Sequence, residues 1–202
     1  RSGRRHERAA ARPGPGLRGR RECLGRGERG AAADPEVSGA AIRRHQPVLV
    51  LCVGQAGGRA EISLERIAIN IDDARIADND GAQPVDAPVV RSGPAAYFTT
   101  LPIKSMCAAL QAADIPIGIS QTAGTFVCNH IFYTLMRTLS ATPAHKRPRG
   151  GFIHIPFLPE QTKGKPGTPD MPLDIMIQAL RIMIDTALTV HEDQRIVGGA
   201  TH

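Results

Sequence analysis

Cys128 is the residue whose sequence context most favours nucleophilic chemistry. The segment TAGTFV precedes it, and an amphipathic run that predicts a helix begins near it. Unpaired N–H groups and the dipole at a helix N-terminus stabilise a thiolate, which is the nucleophilic form of cysteine. The competing interpretation is a small core residue, since buried cysteine is common. That interpretation is favoured for Cys52 and Cys107, which lie inside apolar runs.

His154 and Glu65 are candidate partners for such a thiol. His154 lies in a short apolar segment that ends at Pro156, and Glu65 opens a segment with isoleucine at alternate positions. Taken singly, the histidine is typical of a hydrogen-bonded core residue and the glutamate of a surface carboxylate. Together with Cys128 they resemble a nucleophile, its base and an orienting group. Spacing alone leaves both interpretations open.

A glycine-rich loop, GQAGGR at residues 54–59, follows the first apolar run. The dinucleotide-binding pattern G-x-G-x-x-G would require glycine at the positions of Ala56 and Arg59. That pattern also leads into a helix whose N-terminus binds the pyrophosphate, whereas the residues after this loop are extended in pattern. A nucleotide site is therefore not predicted here.

The composition argues against several classes of protein. The four cysteines are far apart and show no Cys-x-x-Cys or Cys/His spacing, which disfavours a zinc site or a disulfide framework and favours reduced cytosolic thiols. Aromatic residues make up 3% of the chain, so a stacking surface for single-stranded nucleic acid is not expected. No window approaches the roughly 18 consecutive apolar residues of a membrane-spanning helix.

The basic charge of the chain is confined to its N-terminal quarter. Residues 1–46 contain 12 Arg and 5 acidic residues, a net charge of +7, whereas residues 47–202 carry −1. The first 46 residues have no Phe, Tyr, Trp or Met, so we expect them to be disordered. Their Arg/Gly/Ala/Pro bias is typical of a GC-rich coding stretch translated in the wrong frame. A basic tail that binds nucleic acid is the functional alternative.

Residues 47–202 have the pattern of one α/β domain with a mostly parallel sheet and helices on both faces. Residues 77–100 are rich in Gly and Pro and predict a long irregular loop. The predicted strands are Pro47–Gly54, Arg66–Ile71, Ile115–Ser120 and Gly151–Pro156. The predicted helices are residues 101–113, a run from Cys128 to Leu139, and a run from Pro172 to near Val190.

Four longer stretches resemble pyrrolidone-carboxyl peptidase, also called pyroglutamyl peptidase I. They are VGQAGGRAEISLERIAINIDDARIADNDG (53–81), YFTTLPIK (97–104), SQTAGTFVCNHIFY (120–133) and GGFIHIPFLPEQ (150–161). The similarity extends from about residue 47 to 190. It implies a cytosolic cysteine exopeptidase that removes N-terminal pyroglutamate from peptides. It also implies a three-layer α/β/α sandwich, no metal or other cofactor, no nucleic-acid or membrane partner, and a homotetramer.

The same resemblance implies the roles of individual residues. Cys128 in TAGTFVCN is the nucleophile, His154 in FIHIPF is the base, and Glu65 in SLERIAIN is the carboxylate. Asp78 in ARIADN matches a second acid considered for the orienting role. The implied pocket for the pyroglutamyl ring is apolar, and its positions are Gln55, Ile76, Phe126 and Val127.

The resemblance also predicts that a strand and a loop are missing at the N-terminal end of the domain. Family members open with a strand and a Phe/Gly-rich loop of the type GF-x-PFGG, which supplies an aromatic wall of the pocket. Residues 1–46 contain no Phe, so the sheet is expected to lack its usual first strand and the pocket one wall. A catalytically impaired relative, or a gene-model artefact of the same family, is therefore the alternative to an active peptidase.

Overall fold

The computed structural model describes residues 35–198, which form a four-stranded sheet, a separate pair of strands and the helices around them. The strands are β1 (Leu49–Gln55), β2 (Ile62–Glu65), β3 (Ile67–Ile69), β4 (Ala96–Phe98), β5 (Ile117–Ser120) and β6 (Arg149–Ile155). The helices are α1 (Pro35–His45), α2 (Ile103–Gln111), α3 (Val127–Ser140), α4 (Pro159–Thr162) and α5 (Leu173–Thr189). A 3-10 turn at Ala144–Lys146 joins α3 to β6.

The main sheet has the strand order β1-β6-β2-β5. β1 is parallel to β6 and β2 is parallel to β5, whereas β2 and β6 are antiparallel. The predicted α/β class with a mostly parallel sheet is thereby confirmed. Within residues 35–198, β1 and β5 are the edge strands of this sheet.

The register of the sheet places the candidate chemistry on one face. Gly54 of β1, His154 of β6 and Ser63 of β2 are aligned across three neighbouring strands. Because side chains two residues apart project from the same face, Glu65 shares the face of His154. Helix α3 covers this face through a cluster of buried side chains that includes Phe132, Leu135, Leu139 and Phe152.

The opposite face of the sheet is covered by α2 and α5, which also pack against each other. The core on this side is aliphatic and includes Ile62, Leu64, Met106, Leu110, Ile153 and Met183, all with no exposed surface. Helices therefore lie on both sides of the sheet, which gives the predicted three layers. Within the described residues, no helix is long and apolar enough to cross a membrane.

Glycines in β6 allow the neighbouring layers to approach closely. A Cβ atom on Gly150 would lie 2.4 Å from Cδ1 of Leu139 in α3. A Cβ atom on Gly151 would lie 2.3 Å from Oγ1 of Thr99, on the other side of the strand. Both distances are far below van der Waals contact, so a side chain at either position would push a layer away from the strand that carries His154.

Helix α1 corrects one prediction. It lies inside the segment 1–46, which was predicted to be disordered, and that prediction is wrong for Pro35–His45. The physical reason is local packing, since Ile42 joins the buried cluster beneath α3 and Gly39 is buried. The remainder of the segment, residues 1–34, lies outside the described residues.

Two further predictions fail around the second sheet. The single strand predicted at Arg66–Ile71 is instead the short strand β3, and the preceding strand β2 was not predicted. The predicted loop 77–100 contains β4, which pairs with β3 in an antiparallel arrangement. Strands of three or four residues are too short for an alternating pattern to be recognised, which explains both errors.

Candidate active site

His154 and Glu65 meet at the boundary between β6 and β2. Their side chains are almost completely buried, with exposed fractions of 4% and 0%. Nδ1 of His154 lies 2.7 Å from Oε1 of Glu65. A carboxylate in this position favours the tautomer that carries a proton on Nδ1, which leaves Nε2 available to exchange a proton with another group. The structure therefore brings together two residues that are 89 positions apart.

Cys128 completes the cluster from the helical layer. It is the second residue of α3 and is half-buried, and its thiol lies close enough to His154 to raise the pKa of the imidazole. No acidic residue lies in the first turn of α3, so the positive end of the helix is free to stabilise a sulfur anion. Gly54 leaves room for the sulfur, because a Cβ atom there would lie 3.3 Å from Sγ of Cys128. We refer to Cys128, His154 and Glu65 as the Cys–His–Glu series.

The electrostatics of the series favour a protonated imidazole. Burial works to lower the pKa of His154, but hydrogen bonds to Cys128 and Glu65, together with the negative charge of these partners, outweigh it and raise the pKa to about 9. By contrast, burial raises the pKa of Cys52 to about 11. Burial and the nearby Glu61 likewise raise the pKa of Cys107. Lys104 acts in the opposite direction on the pKa of Cys107, but burial and Glu61 outweigh it. Of the three free cysteines described, Cys128 is the one beside the imidazole of His154.

Arg59 is a member of the cluster that the sequence analysis did not identify. Its Nη1 atom donates a hydrogen bond of 2.8 Å to Oε1 of Glu65, the same oxygen that contacts His154. The available signal was a single cation in the glycine-rich loop, six residues before the candidate carboxylate. In the sequence pattern, Arg59 counted only against a dinucleotide motif.

Asn129 is a second residue that the sequence analysis did not identify. It follows Cys128 directly and has no exposed surface. Its Nδ2 donates to the carbonyl oxygens of Ile69 and Ile71, both at 2.9 Å, and its Oδ1 accepts from the N–H of Ile69 at 3.0 Å. These bonds fasten the first turn of α3 to β3 and the residues after it, which fixes the position of the neighbouring thiol.

The four predicted pocket residues lie at three places in the fold. Phe126 and Val127 are half-buried at the start of α3, beside Cys128. Gln55 ends β1, next to Gly54, and its amide exchanges hydrogen bonds with Gln161. Ile76 lies in the loop after β3 and is 60% exposed.

Asp78, the second candidate acid, has its own set of partners. Its Oδ1 accepts hydrogen bonds from the backbone N–H groups of Asp80 at 2.9 Å and Ala82 at 2.8 Å. The carboxylate therefore stabilises a turn in its own loop. The carboxylate that contacts His154 is that of Glu65.

Cavity size alone does not identify this site. A cavity of about 660 Å³ lies between α1, α3 and residues 89–90, and neither Cys128 nor His154 lines it. Nδ1 of His130, on its wall, lies 2.8 Å from Oδ2 of Asp72. This pair joins α3 to the loop after β3, close to the bonds of Asn129. The candidate nucleophile, Cys128, lies in the first turn of α3 and outside this cavity.

The arrangement has the parts that acyl transfer requires. It contains a thiol at a helix N-terminus, a buried imidazole beside that thiol, and a carboxylate that orients the imidazole. Among the described residues there is no cluster of three or more His, Cys, Asp or Glu side chains arranged to hold a metal ion.

Comparison with known proteins identifies the family. The family model for pyroglutamyl peptidase matches residues 32–190. The pyrrolidone-carboxylate peptidase of Cupriavidus taiwanensis is 56% identical over 173 residues, which cover 86% of this chain and 79% of that protein. The pyrrolidone-carboxylate peptidase of Erwinia tasmaniensis is 56% identical over 167 residues, covering 83% and 76%.

Solved structures give the same result. The pyroglutamyl peptidase I of Bacillus amyloliquefaciens superposes with a TM-score of 0.76 at 48% identity, covering 81% of this chain and 76% of that chain. The pyrrolidone carboxyl peptidase of Thermococcus litoralis superposes with a TM-score of 0.76 at 31% identity, covering 81% and 77%. The match corrects the boundary inferred from sequence, since it begins at residue 32 and includes α1. The chain belongs to the pyroglutamyl peptidase family.

Proposed function

We propose that this chain is a cysteine exopeptidase that removes N-terminal pyroglutamate from peptides. The observation that carries the proposal is the Cys–His–Glu series, in which the buried carboxylate of Glu65 contacts Nδ1 of His154 at 2.7 Å and the thiol of Cys128 lies beside the same imidazole. The series supplies the nucleophile, the proton carrier and the orienting group of an acyl transfer. Membership of the family supplies the substrate class.

The first step is attack by the thiolate. Sulfur of Cys128 bonds to the carbonyl carbon that links pyroglutamate to the next residue, and the carbonyl oxygen becomes an oxyanion. Backbone N–H groups at the start of α3 are the donors placed to stabilise that charge. The protonated imidazole of His154 then gives its proton to the departing amine, and the carbon–nitrogen bond breaks.

The second step releases the pyroglutamyl group. His154, now neutral, takes a proton from a water molecule, and the resulting hydroxide attacks the thioester on Cys128. The carbon–sulfur bond breaks and leaves free pyroglutamate, with the thiolate–imidazolium pair restored. Glu65 keeps the imidazole in one orientation during both proton transfers.

The part of the substrate that the enzyme must recognise is the pyroglutamyl ring, which is small, apolar at its edges and uncharged. Phe126 and Val127 lie beside the thiol and are suited to pack against that ring. Gln55 lies at the end of β1, where its amide can hydrogen-bond to the lactam after leaving Gln161. Ile76 would cover the ring from the loop after β3.

The test is hydrolysis of a pyroglutamyl coumarin amide, with the corresponding prolyl amide as the control that lacks the lactam oxygen. We expect the pyroglutamyl compound to be cleaved and the prolyl compound to be cleaved at least about 100-fold more slowly. The substitution Cys128→Ser should lower kcat by about 10³-fold or more. Equal cleavage of the two amides, or unchanged activity in the serine variant, would contradict the proposal.

An impaired peptidase is the second candidate, and the exposure of Ile76 favours it. A pocket residue with 60% of its surface exposed does not enclose an apolar ring, and loss of such enclosure weakens binding by a few kcal/mol. We expect the defect to appear as a high KM with kcat less affected. A kcat/KM of about 10⁴ M⁻¹s⁻¹ or more would argue against impairment.

We also propose that the chain forms a homo-oligomer through a stripe of apolar side chains on the outer face of α5. The α5 stripe consists of Leu173, Ile177, Ile184 and Leu188, with exposed fractions between 37% and 58%. Its spacing is symmetric about the middle of the helix. An antiparallel second copy would therefore place Leu173 opposite Leu188 and Ile177 opposite Ile184, as a two-fold contact requires. The four residues of the stripe are uncharged, and the exposed Arg181, between Ile177 and Ile184, borders the contact.

The three described cysteines are free thiols, and all three are half-buried and packed against apolar clusters. This supports a reducing compartment, and we propose the cytoplasm. The near-neutral charge of residues 47–202 supports a peptide substrate and gives no reason to expect a nucleic-acid partner.

A further inference from the structure

The loop GQAGGR has a shape that depends on its glycines. A Cβ atom on Gly57 would lie 2.3 Å from the ring of Phe157, so only glycine fits beneath that ring. Gly58 has a φ of +86°, which is a conformation that favours glycine. The loop therefore turns sharply after β1, and the residue that follows the turn is Arg59.

Arg59 reaches the buried carboxylate from this loop. Its Nη1 lies 2.8 Å from Oε1 of Glu65, and its side chain is 31% exposed, whereas Glu65 has no exposed surface. The second oxygen of Glu65, Oε2, is buried and has no hydrogen-bond partner in the described part of the chain. All of the observed stabilisation of this carboxylate is thus concentrated on one oxygen, shared by Arg59 and His154.

The four groups form a line of alternating charge. When Cys128 is a thiolate and His154 is protonated, the order is Arg59 (positive), Glu65 (negative), His154 (positive) and Cys128 (negative). Their sum is zero. Without Arg59, the same thiolate–imidazolium form would leave one uncompensated negative charge in a largely buried cluster, which is unfavourable.

We propose that Arg59 is a positioning residue of this site. It holds Glu65 against His154 and balances the charge of the buried carboxylate, so that the site can hold a thiolate beside an imidazolium without a net charge. Its role in hydrolysis rests on the proposed peptidase function, but its effect on the thiolate does not. The glycine-rich loop then contributes to the site by placing the guanidinium of Arg59 against the carboxylate of Glu65.

In the described part of the chain, the basic side chains that contact Glu65 are those of Arg59 and His154. Arg66, the next residue in the chain, instead donates from Nη2 to the carbonyl oxygen of Gly198. β6 contributes His154, and α3 contributes Cys128. β5, the other neighbour of β2, consists of the uncharged segment IGIS. β1 contributes Cys52 to this face, and burial keeps that thiol protonated by raising its pKa to about 11.

The test is the rate of Cys128 alkylation by iodoacetamide between pH 5 and 10, followed by mass spectrometry on the full chain. In Arg59→Met, we expect the pH of half-maximal alkylation to rise by about one unit, which is a roughly tenfold slower reaction on the acid side. Arg59→Lys, which keeps the charge, should recover most of the shift. Lys146→Met removes a positive charge at the opposite end of β6 and should leave the profile unchanged.

A double-variant cycle separates this role from a merely structural one. In a Glu65→Gln background there is no carboxylate to balance, so adding Arg59→Met should cause no further shift. An Arg59→Met profile that overlays the parent, or that loses rate equally at every pH, would overturn the proposal. Should Arg59→Met fail to fold, Arg59→Gln, which keeps a donor without the charge, provides the same comparison. A shifted alkylation profile in a chain that cleaves no pyroglutamyl amide would sustain the inference and refute the peptidase.

Discussion

At the scale of single residues, the structure separates Cys128 from the other described cysteines. Burial raises the pKa of Cys52 to about 11 and, with Glu61, raises the pKa of Cys107. Cys128 instead lies at a helix start beside a protonated imidazole. We therefore expect iodoacetamide at pH 7 to modify Cys128 at least about tenfold faster than either of the others. Peptide mapping of the native protein would measure this, and equal labelling of all three thiols would contradict it.

The raised pKa of His154 predicts the upper pH limit of activity. The ordinary value of 6.5 is shifted to about 9, so the imidazole remains protonated at pH 7 and loses its proton as the pH rises through 9. Because the departing amine needs that proton, kcat/KM should fall above about pH 9 and not above pH 6.5. A pH profile on the pyroglutamyl amide would measure it. Glu65→Gln removes a group that raises this pKa, and should move the fall to lower pH.

At the scale of elements, the junction between α3 and β3 holds the nucleophile in place. Asn129 makes three hydrogen bonds to the backbone of Ile69 and Ile71 and is completely buried. Asn129→Ala would leave those backbone groups without partners, at a cost of about 2–4 kcal/mol in the free energy of unfolding. Urea denaturation would measure the loss. Asn79→Ala, at an exposed asparagine in the loop after β3, should change stability by less than about 0.5 kcal/mol.

The elements that could be predicted are those long enough to show a period. α3 and α5 span 14 and 17 residues, and their apolar positions repeat often enough to set both ends within a residue or two. β4 has three residues and is held by its partner β3, so its own sequence contains little information about it. α1 was missed because a boundary was drawn from composition, although Ile42 packs beneath α3.

In the candidate site too, features set by neighbouring residues in the sequence could be predicted, and contacts made by the folded chain could not. The helix start at Cys128 could be predicted from a local pattern, and the residue roles followed from family resemblance. The contact between Arg59 and Glu65 could not, because it depends on how one glycine-rich turn places a side chain in three dimensions. The bonds of Asn129 likewise connect positions about 60 residues apart.

At the scale of the whole molecule, the two apolar faces of α5 have different roles. The inner face, with Met176, Ala179, Met183 and Ala187, is buried against the core. The outer face carries the α5 stripe, which a monomer would leave in water. Exposed contiguous apolar surface of this kind is typical of protein interfaces. The symmetric spacing of the stripe favours a second copy of the same helix over an unrelated partner.

The prediction at this scale concerns the mass of the particle in solution. We expect the unmodified chain to be a dimer or a larger even-numbered assembly by light scattering at micromolar concentration. Ile177→Glu places a charge inside the contact and opposite Ile184 of the second copy, so it should shift the population to monomers by at least about tenfold in dissociation constant. Gln178→Glu adds the same charge one residue away from the α5 stripe and should leave the mass unchanged. Because Ile177 is already 41% exposed within one chain, the monomer of the Ile177→Glu variant should remain folded by circular dichroism. A parent chain that is monomeric, or a variant that keeps its oligomeric mass, would show that the α5 stripe is not the contact.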